Sequence, residues 1–218
     1  MDSAGAGSTD HGRLFVALDL DHAARSALVS WRAGIVSAHP GVRPVAEDAL
    51  HVTLCFLGTC AMEDVDAIAA ACAVGGGAVG LGAVGGGAVG LGAVGGGAPL
   101  VGLRLGAAMW LPRRRPRVLA VAIEDDTGAL ARVQSAVAQA LQAGGWYRHQ
   151  TRPYLAHVTV ARVAKDQRLR PAGPSSPPPL ALAETATVTL YRSHLSPRGS
   201  VYEAVRVIPV DGSAAPAA

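Results

Sequence analysis

Two histidines, each followed two residues later by a threonine, are the side chains here best equipped for chemistry: His51-Val52-Thr53-Leu54 and His157-Val158-Thr159-Val160. Imidazole titrates near working pH, so of two that converge, one can stand neutral as a base while the other stands protonated as an acid. Hydroxyls beside them can donate to oxygens on which negative charge gathers. Together these are the minimum equipment for acid and base catalysis on a phosphate. Both tetrapeptides lie in runs that read as β-strands, where residues two apart share a face. Each His is thus presented beside its Thr, with Val52 and Leu54, or Val158 and Val160, pointing into a core. One copy alone would read better as a strand with two polar residues on its wet face.

Matching context gives the pair its weight. Ahead of the first copy come an apolar run, Leu14 to Leu18, a helix-like stretch over 23–35, and the motif strand from Leu50 to Leu57. Ahead of the second come Val118 to Ile123, a helix-like stretch over 127–143, and the strand from Tyr154 to Val163. From Leu14 to His51 is 37 residues, and from Val118 to His157 is 39. A strand, helix and His-bearing strand recurring at nearly one spacing predicts two similar halves facing each other.

The remaining elements fit around these units. Met62 to Cys72 reads as a helix with Glu63 and Asp64 at its start, where negative charge suits the helix dipole. Residues 100–105 read as a short strand, 173–179 as a Pro and Ser linker, and 185–191 with 201–208 as a closing hairpin around Ser196-Pro197-Arg198-Gly199-Ser200. An α+β architecture is predicted, with two mostly antiparallel sheets and helices outside. The expected boundaries are a disordered tail over 1–12, a single domain over 13–209 and a second tail over 210–218.

Composition supports a compact intracellular enzyme. The chain has 218 residues and a hydrophobic fraction of 50%, enough for a buried core, but few aromatics, so that core must be Ala, Val and Leu. Cys55, Cys60 and Cys72 have no CxxC spacing and are odd in number, which predicts reduced thiols and a cytoplasmic protein. The N-terminal segment lacks the basic and apolar regions of a secretory signal. His11, His22, His39, His149 and His194 have no metal-ligand spacing and are expected in structural or solvent roles. No metal or other cofactor is expected. In 73–98 the decapeptide AVGGGAVGLG occurs twice and begins a third time, placing 13 of the chain's 27 glycines there. So many glycines argue for a flexible surface insertion and against a membrane span. Net charge is only +3, but Arg113, Arg114, Arg115 and Arg117 cluster between prolines that keep the segment out of a helix. Such a loop is either a solvated basic turn or a grip for an anionic substrate such as an RNA backbone.

Taken with their flanks, RLFVALDL, ALHVTLCFLG, RRPRVLAVAI and RPYLAHVTVARV, the paired motifs resemble the 2H phosphoesterase superfamily. The resemblance is to its RNA 2′,3′-cyclic phosphodiesterases, once described as 2′-5′ RNA ligases, and runs from Arg13 to about Pro209 apart from the glycine insertion. It implies a bilobal fold whose two pseudo-symmetric lobes form a cleft lined by one His-x-Thr strand from each. Where members of the family often carry Trp or another bulky residue, this chain has Ala120. The resemblance also implies roles for Phe56 in stacking on a nucleobase and for Arg162 on the phosphate. Each lies five residues after its motif His, an odd spacing that only a bulge or a strand end turns into the cleft.

Hydrolysis of a 2′,3′-cyclic phosphate needs a base for water's proton and an acid for the leaving ribose oxygen, and on the residues alone either histidine can serve in either role. The resemblance implies His51 as the proton donor, His157 as the proton acceptor and a 2′-phosphate product, with Thr53 and Thr159 on the nonbridging oxygens. The expected substrate is RNA with a cyclic-phosphate end or a cyclic nucleotide, with no membrane partner and a monomeric protein. Ligation is expected only as a minor reverse reaction. The alternatives are hydrolysis of another small cyclic phosphate, such as an ADP-ribose derivative, and a nucleotide-binding module without turnover.

Overall fold

The apolar run near the N-terminus forms β1, His11–Asp19, in a computed structural model of the chain that describes residues 10–77, 100–169, 173–177, 180–182, 187–196 and 199–209. β1 begins two residues before the domain start expected at Arg13. His11 and Gly12 pair with Ala61 and Cys60, and the Asp10 carbonyl accepts from the Met62 amide at 2.8 Å, so these residues are sheet and not tail.

Three helices follow from local signals. α1, His22–Ala38, starts where the Asp21 carboxylate accepts from the Ala24 amide at 2.8 Å, and it outruns the predicted 23–35 at both ends. α2, Val65–Gly77, runs five residues past Cys72 into the glycine repeat. α3, Ala129–Ala143, starts two residues later than predicted because Gly128 adopts φ 70°, a left-handed conformation that glycine enters without strain. The Thr127 hydroxyl then accepts from the Ala129 amide at 3.2 Å. Buried Leu130, Val133, Val137 and Leu141 make one apolar face of this helix. The rest of the glycine repeat, the tail expected from 210, and parts of the expected linker and hairpin turn lie outside the described residues.

The remaining strands are β2 (Val42–Pro44), β3 (His51–Ala61), β4 (Leu103–Leu111), β5 (Val118–Asp125), β6 (His157–Val163), β7 (Thr187–Ser196) and β8 (Gly199–Pro209). β2 was not predicted, since three residues are too few for a periodicity. β4 runs far beyond the predicted 100–105. Every pairing is antiparallel, in the order β4-β5-β6-β3-β1-β7-β8, with β2 added on β6. The two predicted sheets are the two lobes of one curled sheet, β3-β1-β7-β8 and β4-β5-β6-β2, and they join at a single register position, Val52 opposite Val158. Beyond that point β2 takes the place of β3 along β6, pairing with Ala161 to Val163. Val52, Leu54, Val158 and Val160 are almost wholly buried, as the alternation required. Cys55, Cys60 and Cys72 are free and buried, and burial pushes the Cys55 and Cys72 thiols up to about 12, which leaves them unreactive. Among the described residues no helix is long and apolar enough to cross a membrane.

Candidate active site

The two lobes repeat each other residue by residue at the motifs. Leu18 pairs with Val52 and Ala17 with Thr53; likewise Val121 pairs with Val158 and Ala120 with Thr159. The ladder then slips by one residue in both lobes, so that Val16 faces Cys55 and Leu119 faces Ala161. Leu54 and Val160 are the extra residues of two equivalent β-bulges. From His51 to Phe56 and from His157 to Arg162 the burial pattern is the same: half-buried, buried, half-buried, buried, buried, exposed. The bulge turns the position five after each His back to the face that carries the His and the Thr. Phe56 and Arg162 accordingly line the same cleft as His51, Thr53, His157 and Thr159.

A bulge frees a carbonyl from the ladder, and both freed carbonyls are met by a helix from the opposite lobe. Arg32 of α1, nearly all buried, donates through Nη1 to the Val160 carbonyl at 2.6 Å, and the Val45 amide donates to it at 3.0 Å. Gln134 of α3 donates through Nε2 to the Leu54 carbonyl at 3.4 Å. Tyr154, just ahead of β6, donates its hydroxyl to the Thr53 carbonyl at 3.1 Å.

Each catalytic candidate is oriented by the same local bond. His51 Nδ1 donates to the Ala49 carbonyl and His157 Nδ1 to the Leu155 carbonyl, both at 2.8 Å. A carbonyl can only accept, so Nδ1 carries the proton and Nε2 is left for chemistry. His51 Nε2 lies 3.1 Å from Thr53 Oγ1, whose hydroxyl donates to it while the ring is neutral. Antiparallel pairing about Val52 and Val158 brings His51 alongside Thr159, and Thr53 alongside His157.

Surroundings break this symmetry. The His51 ring packs against Phe15 at 5.0 Å, Tyr202 at 5.3 Å and Tyr191 at 6.1 Å. Burial pulls the His51 imidazole down to about 4, aided by the positive charges of Arg162 and His157 and opposed by the Ala49 bond and Asp19. Asp19 stands opposite His51 in the ladder and accepts from Thr189 at 2.6 Å and from Tyr191 at 2.7 Å. Burial and this carboxylate push the Tyr191 phenol up, so it remains a donor.

The cleft encloses about 470 Å³, within the range of small-molecule sites. Arg13, Ser193, Leu195, Ser200 and Tyr202 also line it and were not singled out in the sequence. Strand alternation around Tyr191 and Tyr202 was visible there, but no local signal says that β7 and β8 lie beside β1. Ala120 is wholly buried beside Thr159 and does not line the cleft. His22 opens α1, His39 follows it and His194 pairs with Glu203 at 2.8 Å, all outside the cleft lining. Among the described residues no three His, Cys, Asp or Glu side chains gather as a metal site.

The sequence profile of the 2′-5′ RNA ligase superfamily matches residues 20–195, a span containing both His-x-Thr strands. The chain belongs to this superfamily. Its fold is that of the 2H phosphoesterases, as the flanking motifs implied. The crystal structure of E. coli LigT complexed with 3′-AMP superposes with a TM-score of 0.63 at 23% identity, covering 92% of this chain and 98% of that one. A structure of TT0787 of Thermus thermophilus does so with a TM-score of 0.62 at 25% identity, covering 93% and 100%. In sequence, 56 residues are 45% identical to the E. coli RNA 2′,3′-cyclic phosphodiesterase, a stretch covering 26% of this chain and 31% of that relative.

Proposed function

We propose that this 2H phosphoesterase hydrolyses 2′,3′-cyclic phosphates, at RNA 3′ ends or on nucleotides, to 2′-phosphates without a metal ion. The observation that carries the reading is the pair of His and Thr residues at equivalent register positions in two lobes, all four lining one cleft. The activity named for the E. coli relative supports it. In the reaction, water attacks phosphorus, His157 takes the water's proton, the bond from phosphorus to O3′ breaks and His51 protonates that oxygen. Thr53 and Thr159 donate to the nonbridging oxygens and Arg162 offsets their charge. Phe56, 63% exposed at the cleft, offers a face for a nucleobase.

Burial holds His51 neutral in the free cleft. Its service as the acid therefore depends on the substrate: a phosphodiester anion beside the ring favours the imidazolium and raises its pKa. Incubating the protein with a cyclic-phosphate-ended oligonucleotide or a 2′,3′-cyclic nucleotide in EDTA, with the product identified by phosphorus NMR, tests the reading. A 2′-phosphate is expected, reduced at least about 100-fold in His51→Ala and in His157→Ala. A 3′-phosphate would reverse the roles of the two histidines. Undiminished turnover in either variant would overturn the mechanism, turnover of an ADP-ribose cyclic phosphate alone would favour the second substrate class, and binding without turnover would make the cleft a nucleotide-binding module.

A further inference from the structure

Arg162 does not stand alone at the cleft. Its direct partner across the ladder is Arg43 of β2, and directly opposed residues share a face of the sheet. Two guanidinium groups opposed in this way repel, and both are exposed with no carboxylate paired to either among the described residues. On the other side Arg162 pairs with Val118, which also lines the cleft, and the residue before Val118 is Arg117. Arg117 Nη1 donates to the carbonyls of Ala164 at 3.4 Å and Lys165 at 3.1 Å, fastening the turn that follows β6 to the loop between β4 and β5. Where turn and loop meet, Arg114, Arg115, Arg117 and Arg168 line a cavity of about 220 Å³ with Gln167. A second cavity shares Arg114, Pro116 and Leu169 with it, and adds Arg113 and Trp110.

The ion pairs of the described residues involve Arg104, Arg192, His194 and Arg206, and none of the arginines at this end. The whole chain is only +3, so with Arg43, Arg162, Arg114, Arg115, Arg117 and Arg168 at one end the remainder is net negative. Positive charge is thus concentrated at the end of the second lobe where β6 finishes and β5 and β2 begin. Six residues separate Arg162 from Arg168, a reach of at most about 20 Å along an extended chain. The backbone of a single strand held in the cleft by its terminal phosphate crosses such a distance within a few nucleotides.

We propose that the cavity between the β4–β5 loop and the turn after β6 is a second phosphate-binding subsite. It takes the sugar–phosphate backbone of the RNA strand whose cyclic end occupies the cleft, with Arg162 at the cleft end of its path. The inference rests on the cyclic-phosphate reading of the cleft and deepens it: the site is built for an oligonucleotide rather than a free mononucleotide. Arginine forks suit phosphate oxygens, and each phosphate neutralised releases counterions, so strand binding must weaken with salt.

The test compares the wild type with the double variant Arg114→Ala and Arg115→Ala, and with Arg168→Ala, using a cyclic-phosphate-ended RNA of about ten nucleotides and a 2′,3′-cyclic mononucleotide. The ratio of kcat/KM for the oligonucleotide to that for the mononucleotide is expected to fall about tenfold in the double variant, through KM. The slope of log KM for the oligonucleotide against log salt should fall by roughly 0.7 for each arginine removed. Arg206→Ala, whose guanidinium pairs with Asp66 away from this end, is the charge control and should leave that ratio where it is. An unchanged ratio and slope in both loop variants would overturn the subsite. Fluorescence anisotropy with a 3′-phosphate-ended oligonucleotide separates this inference from the cleft reading. If no cyclic phosphate is turned over, weaker binding by the double variant still supports the subsite, and equal binding overturns it.

Discussion

At the scale of single residues, two histidines on one backbone pattern have been given different surroundings. His51 sits in a box of Phe15, Tyr191 and Tyr202, and burial lowers it from the usual 6.5 to about 4. A histidine depressed in the folded state resists a proton that the unfolded chain accepts between those two values. Stability therefore falls as pH drops from about 6.5 towards 4 and levels off below, by up to about 3 kcal/mol. Urea unfolding at pH 7 and pH 4.5 measures this loss, which is expected to shrink in His51→Gln; an equal loss in that variant would show that the pH dependence arises elsewhere. An NMR titration of the His51 ring should give about 4 in the free protein and a clearly higher value with a 2′-nucleotide bound. The threonines make a separate prediction. Thr53→Val and Thr159→Val keep shape and lose a donor, and each should lower kcat about 10- to 100-fold with little change in stability.

At the scale of elements, the two bulges decide which side chains reach the cleft. Side-chain direction alternates with a period of two, so deleting Val160 would restore regular pairing and carry Arg162 to the opposite face. The carbonyl that the bulge frees makes Arg32 a second point of control. Arg32→Met leaves the Val160 carbonyl with the Val45 amide alone, and loss of a buried bond from a charged donor is expected to cost about 2 to 3 kcal/mol in chemical denaturation. Arg32→Lys should recover part of that loss. Gln134→Leu should cost less, about 1 kcal/mol, because its bond at 3.4 Å is near the limit of a useful hydrogen bond. A large loss in Gln134→Leu and none in Arg32→Met would contradict this ordering.

For the whole molecule, the lobes are joined by little backbone and much crossing over. Among the described residues their strands pair at Val52 and Val158 alone, yet α1, which follows β1 in one lobe, supports β6 in the other, and α3, which follows β5, supports β3. Tyr154 adds a third bond across the junction, to the carbonyl of Thr53. Neither lobe can lose its helix without exposing the other's bulge, so the two are expected to unfold in one cooperative step. Tryptophan fluorescence and far-ultraviolet circular dichroism should give coincident transitions, whereas two separated transitions would show lobes that fold independently. Tyr154→Phe should lower that single midpoint by an amount worth about 1 kcal/mol.

The repeated spacing of apolar run, helix and His-x-Thr strand was legible in the sequence because strand alternation and helix periodicity are local properties. It was enough to predict two equivalent halves with one histidine and one threonine each, while the family was implied by the resemblance of the flanking motifs. The odd spacing of Phe56 and Arg162 was visible too, and with it the need for a bulge. Only the tertiary structure decided that both bulges exist, because a bulge is defined by the partner strand opposite it. The same holds for the aromatic box: nothing near Tyr191 or Tyr202 in the chain says that β7 will pair with β1 and bring both rings to His51. That the two histidines and two threonines belong together was foreshadowed by their types and spacing, and the structure lines one cleft with them. How the His51 imidazole is tuned followed from long-range pairing, since burial and field depend on residues far away in the chain.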